Sequence, residues 1–151
     1  APAMKPEASN MDYQAWLVEQ ATHLRERRFE ALNCEAIAEE LEDMGHSERR
    51  AVESHVKNLL LHLLKWSRQT QQRSGNWRDS IDSTRDALTD LLDDSPSLRP
   101  SLPEFVERQY PRARRSAANQ TSLIETDFPP RCPFILAQIL DHEFFPDMAE
   151  E

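Results

Sequence analysis

NCEAIAEELEDMGHSERRAVESHVKNLLLHLLKW, residues 33–66, joins a short acidic helix pattern directly to a long apolar one. The first part is predicted to begin at Asn33, a good N-cap, and to end at Gly45, a residue typical of helix C-termini. Its buried face is predicted to consist of Ile37, Leu41 and Met44.

The second part predicts a helix from Ser47 to about Gln71. Apolar residues cover almost its whole circumference, which is the pattern of a helix at the centre of a fold. These residues are Val52, Val56, Leu59, Leu60, Leu61, Leu63, Leu64 and Trp66.

Helical periodicity continues on both sides of this stretch. A first helix is predicted from Met11 to Arg28, with Asp12 as a cap. A fourth is predicted from Asn76 to about Asp93, before Ser95-Pro96. The inner stripe of the first helix is predicted to be Tyr13, Trp16, Leu17, Ala21 and Leu24.

Prolines punctuate the remainder of the chain. The fifth helix is predicted to begin near Ser101 and to be kinked or broken at Pro111, because proline removes a helical hydrogen bond. The sixth is predicted to run from Cys132-Pro133 to Pro146.

These patterns predict an all-α fold, a single-domain bundle of five or six helices with a long central helix. The helical domain is expected to span residues 11–147. Residues 1–10 are expected to be a disordered or vector-derived N-terminus, and 148–151 a C-terminal tail.

Composition limits the classes of function. The formal net charge of −9 argues against a protein that binds nucleic acid by neutralising phosphates. Cys34 and Cys132 are too few for a disulfide framework, so a cytoplasmic protein is expected. No apolar run approaches the roughly 20 residues of a membrane helix, so no membrane partner is expected.

Several separated motifs resemble those of one family. They are Phe29-x-x-Leu32, Ile37-x-Glu39-Glu40-Leu41-Glu42-Asp43-Met44-Gly45, Ser47-Glu48-Arg49-Arg50, Leu60-x-His62-Leu63-Leu64-Lys65-Trp66, Trp77-Arg78-x-Ser80-Ile81, Ser95-Pro96-Ser97-Leu98-Arg99 and Phe128-Pro129-x-x-Cys132-Pro133-Phe134. In this order they resemble the bacterial family labelled domain of unknown function twenty-nine. The resemblance implies an all-helical bacterial protein, and it implies no activity, cofactor or catalytic residue.

The sequence offers no catalytic residue, metal site or cofactor site that we would assign. Helix bundles bind metals through inward carboxylates and Glu-x-x-His pairs, and that spacing is missing here. His55 and His62 share a helix face, but they are about 10.5 Å apart along the axis and cannot share an ion. No glycine-rich loop is present to bind phosphates.

His62 is a candidate buried polar site, because it lies on the helix predicted to be central. A buried histidine needs a hydrogen-bond partner. A carboxylate from the second helix would raise its pKa, whereas a backbone carbonyl would keep it neutral. A core histidine with such a partner is a simpler interpretation than a general base.

The remaining hypothesis is interaction with protein. Acidic and basic side chains are adjacent in the sequence, and a surface of this kind can pair with itself about a two-fold axis. The candidate interaction surface consists of Glu39, Glu40, Glu42, Asp43, Arg49 and Arg50. We therefore predict a non-catalytic protein that binds a protein partner or forms a homodimer.

Two alternatives remain open. The first is a metal- or small-molecule-binding bundle with enzymatic activity. The second, which the net charge disfavours, is nucleic-acid binding through Arg112, Arg114 and Arg115.

Overall fold

A computed structural model of the chain describes residues 12–69 and 75–146. The helices are α1 (Tyr13–Arg25), α2 (Cys34–Arg68), α3 (Gly75–Asp94), α4 (Leu102–Asn119) and α5 (Leu136–Leu140), with short 3-10 helices at Phe29–Ala31, Pro96–Ser101 and Glu125–Asp127. No strand occurs within these ranges. The prediction of an all-α fold with one long helix is confirmed.

The domain contains two compact units, Ala1–Ser47 and Glu48–Glu151, and α2 contributes residues to both. The expected N-terminal segment 1–10 and C-terminal tail 148–151 lie outside the described residues.

The first unit is a pair of antiparallel helical segments. Tyr13 donates a hydrogen bond to Glu40, and the side-chain oxygen of Gln20 accepts one from the backbone N–H of Asn33 at 2.9 Å. Both predicted caps are confirmed, since Asp12 accepts from the N–H of Ala15 at 2.8 Å and Asn33 from that of Ala36 at 3.2 Å. As the residue number rises along α1, the number of the partner residue on α2 falls, so the two segments run antiparallel.

The predicted helix end at Gly45 is wrong, because α2 continues without a break from Cys34 to Arg68. Gly45 does not adopt a positive φ, so it makes no left-handed cap. A glycine inside a helix costs only about 1 kcal/mol relative to alanine. The helix formers on both sides and the buried second half of α2 outweigh this cost.

The second unit contains the hydrophobic core. Val52, Val56, Leu59, Leu60, Leu63 and Leu64 of α2 are at most 1% exposed, and Leu61 on the opposite side is also buried. The predicted burial of these apolar residues is confirmed, but the helix is not buried on all sides, since Ser54 and Asn58 are exposed. Side chains from later elements complete the cluster, among them Ile81, Leu88, Phe105, Phe128 and Ile139.

Two predictions about prolines are corrected by the structure. Of the two outcomes predicted at Pro111, a kink or a break, the break does not occur, since α4 continues from Leu102 to Asn119. The carbonyl that loses its hydrogen bond belongs to the exposed Glu107. The last helix begins at Leu136 rather than Cys132 and ends at Leu140 rather than Pro146. Proline favours an extended conformation in the residue before it, and Cys132 precedes Pro133.

Candidate functional site

An apolar groove lies within the first unit, between α1 and the N-terminal part of α2. It has a volume of about 180 Å³. The apolar side chains that line it are Trp16, Leu17, Ala21, Leu24, Ile37, Leu41 and Met44. Only Gln20 and Glu40 interrupt this apolar surface.

Several of these side chains are exposed although their spacing is that of a core. Leu41 is 62% exposed, Met44 65% and Leu24 54%. The prediction that α2 buries Leu41 and Met44 is therefore wrong, as is the prediction that Tyr13 and Leu24 belong to a buried stripe. Helical periodicity identifies an apolar face, but it does not say whether another element covers that face.

Exposed large hydrophobic residues are concentrated in the first unit. Among the described residues, six of the eight such side chains lie there, and only Ile124 and Ile135 lie in the second unit. The six are Tyr13, Val18, Leu24, Phe29, Leu41 and Met44. Leu24, Leu41 and Met44 line the groove together, and such a shared exposed apolar face is typical of an interaction surface, whereas scattered single residues are not.

The predicted acidic surface divides into exposed and buried members. Glu42 and Asp43 are exposed and Glu39 is half-buried. Glu40 is buried, with 8% exposure, and accepts the hydrogen bond from Tyr13. Its inclusion in a surface patch was wrong, because residue 40 follows buried Ala36 by one helical turn and shares its face.

Arg49 and Arg50 belong to the second unit. Arg49 donates a long hydrogen bond of 3.4 Å to the Ser101 hydroxyl, and its guanidinium lies 5.2 Å from the centre of the Phe105 ring. Arg50 is exposed and lines a charged cleft.

His62 is half-buried in the core helix. Burial lowers its pKa, and the positive charge of Lys65 lowers it further, so the imidazole is neutral at pH 7. Neither predicted partner occurs, since no described residue forms a hydrogen bond with the ring. We assign no chemistry to His62.

The charged cleft lies in the second unit, between α2 and α4, and has a volume of about 480 Å³. At its floor, Glu53 Oε2 accepts two hydrogen bonds of 2.7 Å each, from Gln109 Nε2 and from Arg108 Nη1. The other fork nitrogen of Arg108 donates to Glu104 at 2.6 Å. These bonds fix Arg108 and Gln109 in position.

The pKa of Glu53 reports the electrostatic character of this cleft. Burial alone would raise it, but the hydrogen bonds from Gln109 and Arg108 and the charges of Arg108 and Arg112 lower it below its ordinary value. Glu53 is therefore ionised at neutral pH despite its burial.

Three further cations surround the cleft: Arg50 and Lys57 from α2 and Arg112 from α4. Within residues 12–69 and 75–146, none of the three has a carboxylate oxygen within 4.0 Å. The sequence carried a signal for this site that our prediction missed. Arg50 and Lys57 are spaced by two helical turns, and Arg108 and Arg112 by one, so each pair lies on one face of its helix.

Other reactive groups provide no site. Burial raises the pKa of the Cys132 thiol, which makes it a poor nucleophile. Among the described residues, no cluster of three or more His, Cys, Asp or Glu side chains is arranged to hold a metal ion. None of the described helices has the length and apolarity that crossing a membrane requires.

Comparison with known proteins identifies one family. Residues 10–145, nearly the whole chain, match the family described as Domain of unknown function DUF29. No curated protein and no solved structure matches the chain. The match includes both compact units and agrees with the resemblance carried by the sequence motifs. The chain therefore belongs to the family described as Domain of unknown function DUF29.

Proposed function

We propose that this protein acts through protein contacts, without catalysis, and that it self-associates through the apolar groove of its first unit. The observation that carries this proposal is the exposure of Leu24, Leu41 and Met44 around one groove. Burying an aliphatic side chain contributes about 1.5–3 kcal/mol of stabilising free energy. Three side chains left half-exposed on one face can therefore contribute this free energy to the binding of a partner. The free thiols of Cys34 and Cys132 support a cytoplasmic setting for this interaction.

A second copy is a suitable occupant because exposed residues of opposite charge adjoin groove residues on the two helices. Arg25 and Arg27 follow the groove residue Leu24 along the chain, whereas Glu42 and Asp43 lie between the groove residues Leu41 and Met44. All four are exposed, and none has an ion-pair partner among the described residues. A two-fold axis across the groove places the arginines of one copy beside the carboxylates of the other.

This arrangement differs from the surface predicted from sequence alone. The apolar groove provides the area, Glu42 and Asp43 remain at its rim, and Arg25 and Arg27 replace Arg49 and Arg50 as the basic partners. Two helical segments from each copy would form a four-helix interface, which is a common way for amphipathic helices to bury an apolar face.

Sedimentation velocity over a range of protein concentrations tests the proposal. The wild-type protein is expected to form a dimer, and the double variant Leu41→Gln, Met44→Gln is expected to weaken it by about 100-fold or more. Glutamine is a good helix former and adds no charge, so α2 should persist. Val18→Gln is the matched control, because Val18 is 63% exposed on α1 but does not line the groove.

A wild-type protein that remains monomeric at every concentration would refute self-association. An equal loss of dimer in Val18→Gln would refute the groove as the interface. Unchanged dimerisation in the double variant would do the same.

A further inference from the structure

The charged cleft of the second unit has an excess of positive charge in a chain with a net charge of −9. Arg50, Lys57, Arg108 and Arg112 line it, and Glu53 is the one carboxylate among its lining residues that the structure describes. Counting Glu104, which pairs with Arg108 on the exposed side, the local balance is still positive. The described carboxylates beside the cleft, Glu53 and Glu104, pair with Arg108 and therefore do not neutralise the whole excess.

Hydrogen bonds within the chain hold the side chains at the floor of the cleft in place. Glu53 is only 14% exposed at its side chain, and both of its hydrogen-bond donors come from α4. Because Arg108 is bonded to two carboxylates, its charge is satisfied within the chain. Arg50, Lys57 and Arg112 form no ion pair or hydrogen bond among the described residues, and these three side chains remain available to a ligand. The charge of Arg112 also lowers the pKa of Glu53, so Arg112 lies near the floor of the cleft.

We propose that this cleft binds a compact, multiply charged anion through phosphoryl groups, with Arg50, Lys57 and Arg112 as its cationic ligands. Arginine presents a rigid fork that donates two hydrogen bonds to adjacent phosphate oxygens, and lysine adds a point charge. The Ser54 hydroxyl, also exposed in the cleft, supplies a further donor. Cations on two facing helices match the many acceptor oxygens of a diphosphate better than a single planar carboxylate.

The size and the field of the cleft favour a small ligand over nucleic acid. Its volume of about 480 Å³ is within the range of small-molecule sites, about 300–1,000 Å³. An extended polyanion would also experience repulsion from the net negative charge of the chain, whereas a small anion responds to charges within about one Debye length, roughly 10 Å. The inference is independent of self-association, because the cleft and the groove belong to different units.

Isothermal titration calorimetry of the full chain with inorganic pyrophosphate tests the proposal. Saturable binding at low ionic strength is expected, and affinity should fall as sodium chloride is raised. Lys57→Gln and Arg112→Gln should each weaken binding by about tenfold, the loss expected for one hydrogen bond to a charged group at a partly exposed site. Both side chains lack an intrachain ion pair among the described residues, so the variants should fold, which circular-dichroism melts will verify.

Arg131→Gln is the matched control. It removes the same charge from an exposed arginine that lines a different cavity. Absence of saturable heat with the wild-type protein would overturn the proposal. An equal loss of affinity in Arg131→Gln would overturn it as well, because it would indicate only diffuse electrostatics. Citrate binding as tightly as pyrophosphate would overturn the phosphoryl assignment. Tighter binding of a single-stranded oligonucleotide that pyrophosphate displaces would identify a nucleic-acid site instead.

Discussion

Replacing Arg85 with methionine is expected to lower the free energy of unfolding by about 3 kcal/mol. Arg85 lies on α3 and is 1% exposed. Its Nε donates to the carbonyl of Ile139 at 2.8 Å, and one fork nitrogen donates to that of Gln138 at 3.1 Å. Both carbonyls belong to the last turn of α5, where carbonyl acceptors have no N–H donor within the helix and a positive charge is favoured; that of Gln138 also accepts from the N–H of Asp141 at 3.2 Å. Arg85 thus caps a helix distant in sequence.

The magnitude follows from these contacts. A hydrogen bond to a charged group contributes about 1.5–3 kcal/mol, so two contribute about 3–6, and the bond at 3.1 Å is the weaker one. Burial lowers the pKa of Arg85, and the charges of Asp141 and Asp82 offset this only in part, so some cost of burying the guanidinium is expected to remain, and methionine removes it. Methionine can also pack against Phe145, whose ring centre lies 5.5 Å from the guanidinium. The net loss is therefore expected near the lower end of the range.

Urea denaturation followed by circular dichroism measures this difference directly. Arg78→Met is the control, since Arg78 is exposed and lies 4.1 Å from the centre of the same Phe145 ring but forms no hydrogen bond to α5. It should cost less than about 1 kcal/mol, the usual contribution of an exposed cation–π contact. A loss below about 0.5 kcal/mol in Arg85→Met, or equal losses in the two variants, would refute the capping role.

Two further predictions concern α2. Gly45→Ala should raise the free energy of unfolding by about 0.5–1 kcal/mol in urea denaturation, because an added Cβ has no neighbour within 4 Å and alanine is the better helix former; a destabilised variant would contradict this. Glu53→Gln should cost about 1–2 kcal/mol at pH 7 through the loss of its charge-assisted bonds to Arg108 and Gln109. Since the folded pKa of Glu53 lies below its ordinary value of 4.5, its contribution is complete above that pH and is lost as the pH falls through the folded pKa. The stability difference between wild type and Glu53→Gln should therefore shrink from pH 7 to pH 3, and a constant difference would contradict the assignment.

Local patterns predicted the helical elements well. The caps at Asp12 and Asn33 and the buried face from Val52 to Leu64 follow from spacing within one helix, where residues a turn apart share a side. The breaks expected at Gly45 and Pro111 did not occur. Their local costs are about 1 and 3 kcal/mol, and packing along the rest of each helix is large enough to outweigh them.

The candidate sites were less predictable. The apolar face containing Leu41 and Met44 was recognised, but its exposure depends on which elements are placed over it. Glu40 was assigned to the surface by its charge, yet its position one turn after Ala36 directs it into the helix pair. A charged side chain prefers water, but its position on a helix can bury it where a hydrogen-bond partner such as Tyr13 is present.

The sequence by itself determined the family, the all-helical class and the faces of the helices, because these depend on residues three or four positions apart. Only the tertiary structure decided that the Leu41 face stays uncovered, that Glu53 meets Arg108 and that Arg85 caps α5. The partners in the last two pairs lie 55 and 54 positions apart along the chain. No periodic pattern encodes such a contact, since it exists only once packing of the core has brought the two helices together.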